Sequence, residues 1–312
     1  METYYKNLRV KRGKTIENQI RKKIETKEHQ DILLGILLGK DESIENEIKQ
    51  NFIQSSLSHI LAVSGMHVVY VIAITSYILT SLKIGKKKTK IITIVLLIFF
   101  MLLTNNTPSV RRACIMAILS IIAILINRKS DNINNMAVSL IIILIQNPFY
   151  ILNTGLILSY TATLGIILLL PKQKEETNLF QKIRKLIQVS ISAYIAILPI
   201  NMLLFRTISL TFIFSNILIS FIIGIIIILG FIISIPIHIP ILPFILEILL
   251  SLLTKITEIF SNIPISNILI CPPTYLIIFI YYTILLFFIY LKKLKRKTIQ
   301  KTNRKKAINK CG

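Results

Sequence analysis

The chain has 312 residues, 54% of them hydrophobic, and its mean hydropathy of +0.70 is too high for the core of a soluble protein. Its 37 Lys and Arg against 14 Asp and Glu give a net charge of +23, concentrated in the tails and short loops. Such loops are typically cytoplasmic, so the basicity alone does not indicate a nucleic-acid partner. The three scattered cysteines form no CxxC pair, and the sequence contains no HExxH or P-loop motif. We therefore expect a polytopic protein of the cell membrane without a metal or cofactor.

The two ends of the chain are strongly basic. Residues 1–30 are predicted to form a solvated or surface-bound lead-in, and residues 292–312 a cytoplasmic tail. The segment between them, 31–291, is predicted to be the transmembrane domain, and it opens with a helix, a turn at Gly39 and a second helix. A cytoplasmic tail places the N-terminal segment outside, which its own basic residues disfavour, so the sequence leaves the orientation open.

The first long apolar segment, Leu57 to Leu82, carries two histidines and several hydroxyl groups. As one continuous helix, it places its polar side chains within an arc of about 140°: Ser56, His59, Ser64, His67 and Tyr70. Polar groups inside a span usually face the bundle interior or a watery cavity, so this face is a candidate pathway lining. The alternative is that the histidines hydrogen-bond to neighbouring helices in a structural role.

A polar stretch containing Pro108, Arg111 and Arg112 separates two apolar runs, Ile91 to Leu103 and Ala113 to Ile126. Each run is shorter than the roughly twenty residues that an independent span needs. We therefore expect a hinge that dips into the bilayer and lines a cavity, with at least one arginine facing inward. Snorkelling of the arginines toward lipid headgroups is the alternative.

Further apolar segments bring the predicted fold to an all-α bundle of about eight to nine hydrophobic helices, some broken or re-entrant. They begin near Ala137, Gly155, Leu186, Leu210 and Tyr275. Between the last two, Phe244 to Phe260 carries its polar residues on one face. This amphipathic helix is expected either to lie flat at the interface or to cross the membrane with its charged face toward a pore.

Five motifs follow one another along the chain. The longest is Ser58-His59-Ile-Leu-Ala-Val-Ser64-Gly65-Met-His67-Val. The others are Leu37-Leu38-Gly39-Lys-Asp41, Pro108-Ser109-Val-Arg-Arg112-Ala113-Cys-Ile-Met116, Asn147-Pro148 with Gly155-Leu-Ile-Leu-Ser159-Tyr160-Thr-Ala162, and Leu198-Pro199 with Phe205-Arg-Thr-Ile-Ser209 and Asn216. Taken in chain order, the five motifs resemble those of the membrane competence domain of ComEC-type DNA-uptake proteins, over about residues 30 to 290. The arginine of the family motif corresponds to Arg112, whereas Arg111 occupies a variable position.

The resemblance implies a channel, not an enzyme, that passes single-stranded DNA into the cytoplasm during natural transformation. We expect its DNA pathway to be lined by His59, Ser64, Gly65, His67, Arg111, Arg112, Ser159, Asn201 and Asn216. The arginines would meet phosphates, and the neutral groups would pass the backbone along. Tyr70 and Tyr160 are either packing residues or base-stacking platforms. The expected partners are single-stranded DNA, membrane lipid, a separate DNA receptor and a cytoplasmic motor, and a homodimer is left open.

Members of the resembled family commonly carry an extracellular OB-like domain before this module and a metallo-β-lactamase-like nuclease domain after it. The sequence is too short for either, so we expect other proteins to supply duplex capture and strand degradation. Three alternatives stay open. The first is a small-anion or solute transporter, the second is an intramembrane enzyme in which His67 activates Ser64, and the third is a reduced copy without function.

Overall fold

The computed structural model describes residues 14–61, 63–104, 107–170, 178–209, 211–236, 239–263, 267–269 and 272–291, and the predicted tail 292–312 lies outside them. In this part the chain is almost wholly helical, as predicted. The elements in order are α1 (14–23), α2 (Lys27–Leu38), α3 (Asn46–Gln54), α4 (Ser58–Leu61), α5 (Gly65–Ser81), α6 (Lys86–Leu103), α7 (Pro108–Leu125), α8 (Asn132–Gln146), a 3-10 turn (Pro148–Leu152), α9 (Thr154–Leu169), α10 (Leu179–Phe205), β1 (Thr207–Ser209), α11 (Phe212–Ile233), α12 (Ile241–Ser261), β2 (Asn267–Leu269) and α13 (Tyr275–Leu291).

Three helices in the described part are long and apolar enough to cross a membrane: Pro108–Leu125, Phe180–Phe205 and Phe212–Ile233. Four shorter apolar helices accompany them: Gly65–Ser81, Asn132–Gln146, Thr154–Leu169 and Tyr275–Leu291. These lengths and compositions are those of a membrane protein. The predicted number of eight to nine hydrophobic helices stays a prediction.

The chain divides into two compact units, Met1–Tyr160 with Ser209–Ile268 and Thr161–Ile208 with Leu269–Gly312. The core of the first unit is built around α2, whose residues from Ile32 to Leu38 are all buried. Helices α11 and α12 pack against α2, and α3 and α4 complete the cluster. Gly230 allows α11 to approach closely, because a Cβ there would lie 2.8 Å from a methyl carbon of Leu37.

Residues 14–30 of the predicted lead-in are bound to this core, and Ile20 and Ile24 are buried in it. Lys23 Nζ donates to the carbonyl oxygens of Ile233 and Ile235, at 2.8 and 2.7 Å, where α11 ends. A cation at a helix C-terminus is favoured by the helix dipole. The basic segment is therefore tied to the first unit, and the boundary at residue 30 stays a prediction.

The amphipathic helix is present as α12, and it buries Leu246, Leu250 and Leu253 in the core of the first unit. Part of its polar face contacts the N-terminal helices. The Ser251 hydroxyl lies 3.3 Å from Nε2 of His29, the Ser261 hydroxyl donates to Asn51 Oδ1 at 3.0 Å, and the Glu247 carboxylate accepts from the backbone just before α2. The contacts of Ser251 and Glu247 hold residues 25–29 in place, and that of Ser261 holds α3; the sequence did not predict this role for them.

The expectation of a single helix from Leu57 to Leu82 is wrong. Helix α4 ends at Leu61, and α5 begins at Gly65 with Ser64 as its extended N-cap. The Ser64 hydroxyl accepts from Met66 N at 3.3 Å, and Nδ1 of His67 accepts from Ser64 N at 3.1 Å. This reciprocal pair is a capping box with histidine in the position that glutamate or glutamine usually takes. The predicted polar stripe on one helix therefore does not exist.

The expected broken span also needs correction. Helices α6 and α7 contain 18 residues each, because Lys86 to Lys90 and Pro108 to Arg112 are helical as well. Pro108 is at the first position of α7, where its missing N–H is not needed. The polar stretch is thus largely the beginning of a regular helix, and Arg111 and Arg112 project from that helix.

The second unit contains α10, α13 and most of α9. Gly165 of α9 packs against Ala196 of α10, and a Cβ on this glycine would lie 2.8 Å from the carbonyl oxygen of Ser192. On α13, Tyr281 and Tyr282 donate hydrogen bonds to two consecutive carbonyl groups of α10. This unit is held together by a close helix contact and by tyrosine hydroxyls, both common devices for packing helices in lipid.

Candidate functional site

The candidate site is a pair of buried arginines in the first two turns of α7. Arg111 is 6% exposed and Arg112 is 8% exposed. The neighbouring Val110 and Cys114, four residues apart, are buried against α5 and α6. This apolar contact fixes the rotation of α7 and thereby sets the directions in which the two arginines point.

Arg112 connects three helices. Its Nη1 donates to the carbonyl oxygen of Ser159 on α9 at 2.9 Å, and its guanidinium carbon lies 5.7 Å from the centroid of the Tyr160 ring. Its Nη2 lies against Gly65, the first residue of α5, where an added Cβ would be only 3.2 Å away. Glycine at position 65 therefore makes room for the guanidinium group.

Two further hydrogen bonds surround this contact. The Ser109 hydroxyl donates to the carbonyl oxygen of Gly155 at 3.1 Å, one turn of each helix away from the bond between Arg112 and Ser159. The hydroxyls of Tyr160 and Ser139 are 2.8 Å apart, which brings α8 into the network. Helices α7, α8 and α9 are thus joined by polar contacts around the Arg112 side chain.

The side chain of Arg111, in contrast, makes no hydrogen bond in the described part of the chain, whereas Arg112 makes one; the Nε of each is buried without a partner. The guanidinium carbon of Arg111 lies 5.6 Å from the centroid of the Tyr150 ring, in the 3-10 turn. In the described part of the chain, neither Arg111 nor Arg112 forms an ion pair with an aspartate or glutamate. Among these residues the site therefore holds two buried cations without a carboxylate, beside the positive N-terminal end of α5.

The residues around His59 form a second polar cluster. His59 on α4 is exposed, its ring centroid is 6.1 Å from that of Phe212, and its ring lies beside the Asn216 side chain on α11. The adjacent Ser215 hydroxyl donates to the carbonyl oxygen of Ser55 at 3.0 Å. The Ser215 bond fastens the start of α11 to the segment just before α4.

The structure brings only part of the predicted pathway together. Gly65, Arg112 and Ser159 are in contact, with Ser64 and His67 at the same end of α5 and Arg111 next to Arg112 on α7. His59 and Asn216 form their own pair, and Asn201 lies on α10 in the second unit. The assignment of all nine residues to a DNA pathway stays a prediction.

Two side chains of the predicted polar face have clear structural partners. His67 is fully buried; its Nδ1 accepts the Ser64 N–H, and its Nε2 lies against the Ile36 backbone without a well-formed hydrogen bond. The contact of Ser64 with Nδ1 of His67, which an activated serine would also show, is thus explained by helix capping. Tyr70 packs on Gly224 and donates to the carbonyl oxygen of Ser220 at 3.3 Å.

Sequence reasoning missed Tyr150, the aromatic residue that faces Arg111. Its only signal is its place two residues after Pro148, where a 3-10 turn presents it toward α7. The contact between Gly65 and Arg112 was missed as well, although both residues lie in motifs that the sequence singles out. Spacing within a motif does not indicate which motifs meet in space.

Comparisons with known proteins identify the family. The competence protein family matches residues 36–295. ComE operon protein 3 of Bacillus subtilis (strain 168) is 25% identical over 191 residues, which are 60% of this chain and 24% of that relative, so the chain spans only about a quarter of the relative's length. No solved structure matches the chain. The family match extends over most of the sequence, as the motifs predicted, and this chain belongs to the competence protein family.

Proposed function

We propose that this protein takes up single-stranded DNA across the cell membrane during natural transformation, as a multi-pass channel and not as an enzyme. The observation that carries the proposal is the buried arginine pair, which has no carboxylate partner in the described residues. Family membership supports a role in competence, and the arginines supply the chemistry that an anionic polymer requires.

The energetic argument concerns unpaired charge in a low-dielectric environment. An arginine costs about 2.5 to 3.5 kcal/mol at the centre of a span on insertion scales, which is an upper bound for Arg111 and Arg112 because they lie near the start of α7. A buried charge is tolerated best with a partner of opposite sign. Arg112 lies beside the start of α5, where the helix dipole adds further positive potential. An incoming phosphate group would neutralise this excess of positive charge.

A strand must also leave its binding sites. Neutral polar groups bind phosphate and bases weakly, and several weak sites in series favour conduction over trapping. His59 on α4 and Asn216 near the start of α11 are two such groups that lie beside each other. They provide a second, weaker contact for the strand. A receptor for DNA and a cytoplasmic motor are the further partners that the proposal requires.

The experiment is a clean deletion in the source strain, complemented with the wild-type gene and followed by uptake of labelled DNA. The proposal expects the deletion to abolish internalisation while DNA still binds to the cell surface, and the wild-type gene to restore it. Complementation with Lys255→Gln, which alters an exposed charge on α12, serves as the control and should restore uptake fully. Unchanged internalisation in the deletion strain contradicts the proposal and favours a copy without function.

One observation favours a second candidate, a transporter of small anions. Both arginines are more than nine-tenths buried, which suits a small ligand at least as well as a polymer. Flux of small inorganic anions through the purified protein in liposomes, measured without DNA, distinguishes the two candidates. Strong flux together with normal DNA uptake in the deletion strain supports the transporter.

A further inference from the structure

We infer that the two adjacent arginines have different roles: Arg111 binds an anionic phosphodiester group, and Arg112 is a positioning residue that holds α5, α7 and α9 together. This inference rests on the proposed function and adds the ligand class of the site. The family motif singles out Arg112, and the structure assigns the contact with the ligand to its neighbour.

Arg112 is tied into the protein by one hydrogen bond and two packing contacts, although its Nε, like that of Arg111, is buried without a hydrogen-bond partner. Nη1 bonds to the carbonyl oxygen of Ser159, Nη2 lies against Gly65, and one face of the guanidinium covers the Tyr160 ring. A phosphate that bound Arg112 directly would have to displace contacts that position three helices. The electrostatic field of Arg112 remains at the site, but its one side-chain hydrogen bond in the described residues joins α7 to α9.

The donors of Arg111 are free within the described part of the chain. Its side chain makes no hydrogen bond there, its Nε is buried without a partner, and its guanidinium faces the Tyr150 ring at 5.6 Å. A buried guanidinium with unused donors needs an acceptor. Contact with an aromatic ring leaves the in-plane N–H groups of the guanidinium available, and their fork matches two oxygens of one phosphate group.

The ligand class follows from charge and geometry together. Both buried cations lack a carboxylate in the described residues, so the site favours an anion over a neutral base. A phosphodiester group offers two acceptor oxygens and a single negative charge, which one guanidinium can satisfy. Tyr150 keeps the Arg111 guanidinium oriented, and the neighbouring Arg112, whose Nη1 is bonded to Ser159, adds positive potential.

The test uses the full-length protein, purified in detergent, with a fluorescent oligothymidylate of about twenty nucleotides as the probe. Binding is measured over a range of salt concentrations for the wild type, Arg111→Gln, Arg111→Lys and Arg112→Gln. Thermal stability is measured in parallel by size-exclusion chromatography after heating. A second probe, the same oligomer with an uncharged methylphosphonate backbone, reports on contacts other than charge.

We expect Arg111→Gln to keep the wild-type thermal midpoint and to bind the charged probe about tenfold more weakly. Its slope of log affinity against log salt should be smaller by about 0.7, the value for one phosphate contact on a single strand. Affinity for the uncharged probe should be unchanged, and Arg111→Lys should recover part of the loss. Arg112→Gln should instead lower the thermal midpoint.

Two results overturn the inference while leaving the proposed function intact. One is that Arg111→Gln has the same slope of log affinity against log salt as the wild type. The other is that Arg111→Gln loses affinity for the charged and the uncharged probe to the same extent. The proposed function itself is contradicted if the purified wild-type protein binds neither probe and deletion of the gene leaves DNA uptake unchanged. The two failures are therefore distinguishable.

Discussion

The hydroxyl group of Tyr281 donates to the carbonyl oxygen of Ile195 at 2.9 Å, and Ile195 lies four residues before Pro199 within α10. Proline has no backbone N–H, so the carbonyl four residues earlier loses its usual helical partner. The neighbouring Tyr282 donates to the carbonyl oxygen of Ala196 at 2.8 Å. Helix α13 thus supplies hydrogen-bond donors at the point where proline interrupts the hydrogen bonding of α10.

Tyr281→Phe is expected to destabilise the protein by about 1 kcal/mol, because the Ile195 carbonyl then has no donor. In a Pro199→Ala background, residue 199 again has a backbone N–H that can bond to the Ile195 carbonyl. Tyr281→Phe should therefore reduce the stability of that variant clearly less. The measurement is the thermal midpoint of the detergent-solubilised protein.

Tyr282→Phe is the control for this prediction. Its acceptor, the carbonyl oxygen of Ala196, is not the one that Pro199 deprives of a donor, so its cost should be the same in both backgrounds. An equal cost of Tyr281→Phe with and without the proline contradicts the explanation.

Gly224→Ala is expected to destabilise the contact between α5 and α11. A Cβ at this position would lie 2.6 Å from the ring and hydroxyl of Tyr70, so one helix must move, at a cost of about 1 to 3 kcal/mol. The thermal midpoint again reports the change, and Tyr70→Ala should relieve most of it. Gly85→Ala is the matched control, because nothing lies within 4 Å of its added Cβ. Equal effects at the two glycines would sink the packing argument.

The positions of the long apolar helices could be predicted from sequence. The apolar segment predicted to begin near Leu210 corresponds to the observed α11, Phe212–Ile233, and the expected break at Gly39 is a left-handed C-cap with φ of 69°. These features depend on local composition and on backbone conformation, which are properties of the nearby residues. The apolar runs place the starts of α6 and α7 too late, because a helix can begin with lysines or a proline that lie outside the run.

The contacts that build the candidate site could not be predicted. Arg112 and Ser159 are 47 residues apart, and Glu247 contacts a turn more than 220 residues away. No periodicity in the sequence encodes such pairings, which depend on how the helices pack. The break before α5 does have a local signal, since Ser64 and His67 have the spacing of a capping box, but the expectation of one continuous polar face overlooks it.

Stability should fall at low pH through Glu17. Lys40 Nζ, 2.7 Å from its carboxylate, and Arg21 Nε at 3.1 Å hold the pKa of Glu17 below its usual value. The ionised form therefore stabilises the fold, fully above the unfolded pKa of about 4.3, and this contribution is lost as the pH falls through the lowered folded pKa. The contribution is at most about 1 kcal/mol for such a partly exposed pair.

Glu17→Gln should therefore lower the thermal midpoint near pH 7 and narrow the difference between pH 7 and pH 3. The exposed Glu258 forms no ion pair in the described residues, so Glu258→Gln should leave the pH profile unchanged. Parallel pH profiles for the wild type and Glu17→Gln would contradict the assignment.

Glu247→Ala is expected to release the N-terminal segment from the core. The Glu247 carboxylate accepts from the backbone N–H groups of Glu25 at 2.8 Å and Thr26 at 3.3 Å, in the turn between α1 and α2. Removing the carboxylate leaves these two donors without their acceptor, which costs about 1 to 3 kcal/mol where the groups are shielded from water and less where water replaces it. Glu247→Gln keeps an acceptor without the charge and should be intermediate.

Limited trypsin digestion measures this release, because Lys22, Lys23 and Lys27 flank the turn that Glu247 holds. Cleavage there should be several-fold faster in Glu247→Ala than in the wild type, since local opening becomes more frequent. Glu258→Ala, on the same helix, should leave the rate unchanged. Equal cleavage rates in Glu247→Ala and the wild type would mean that packing of Ile20 and Ile24, and not the carboxylate, holds the segment in place.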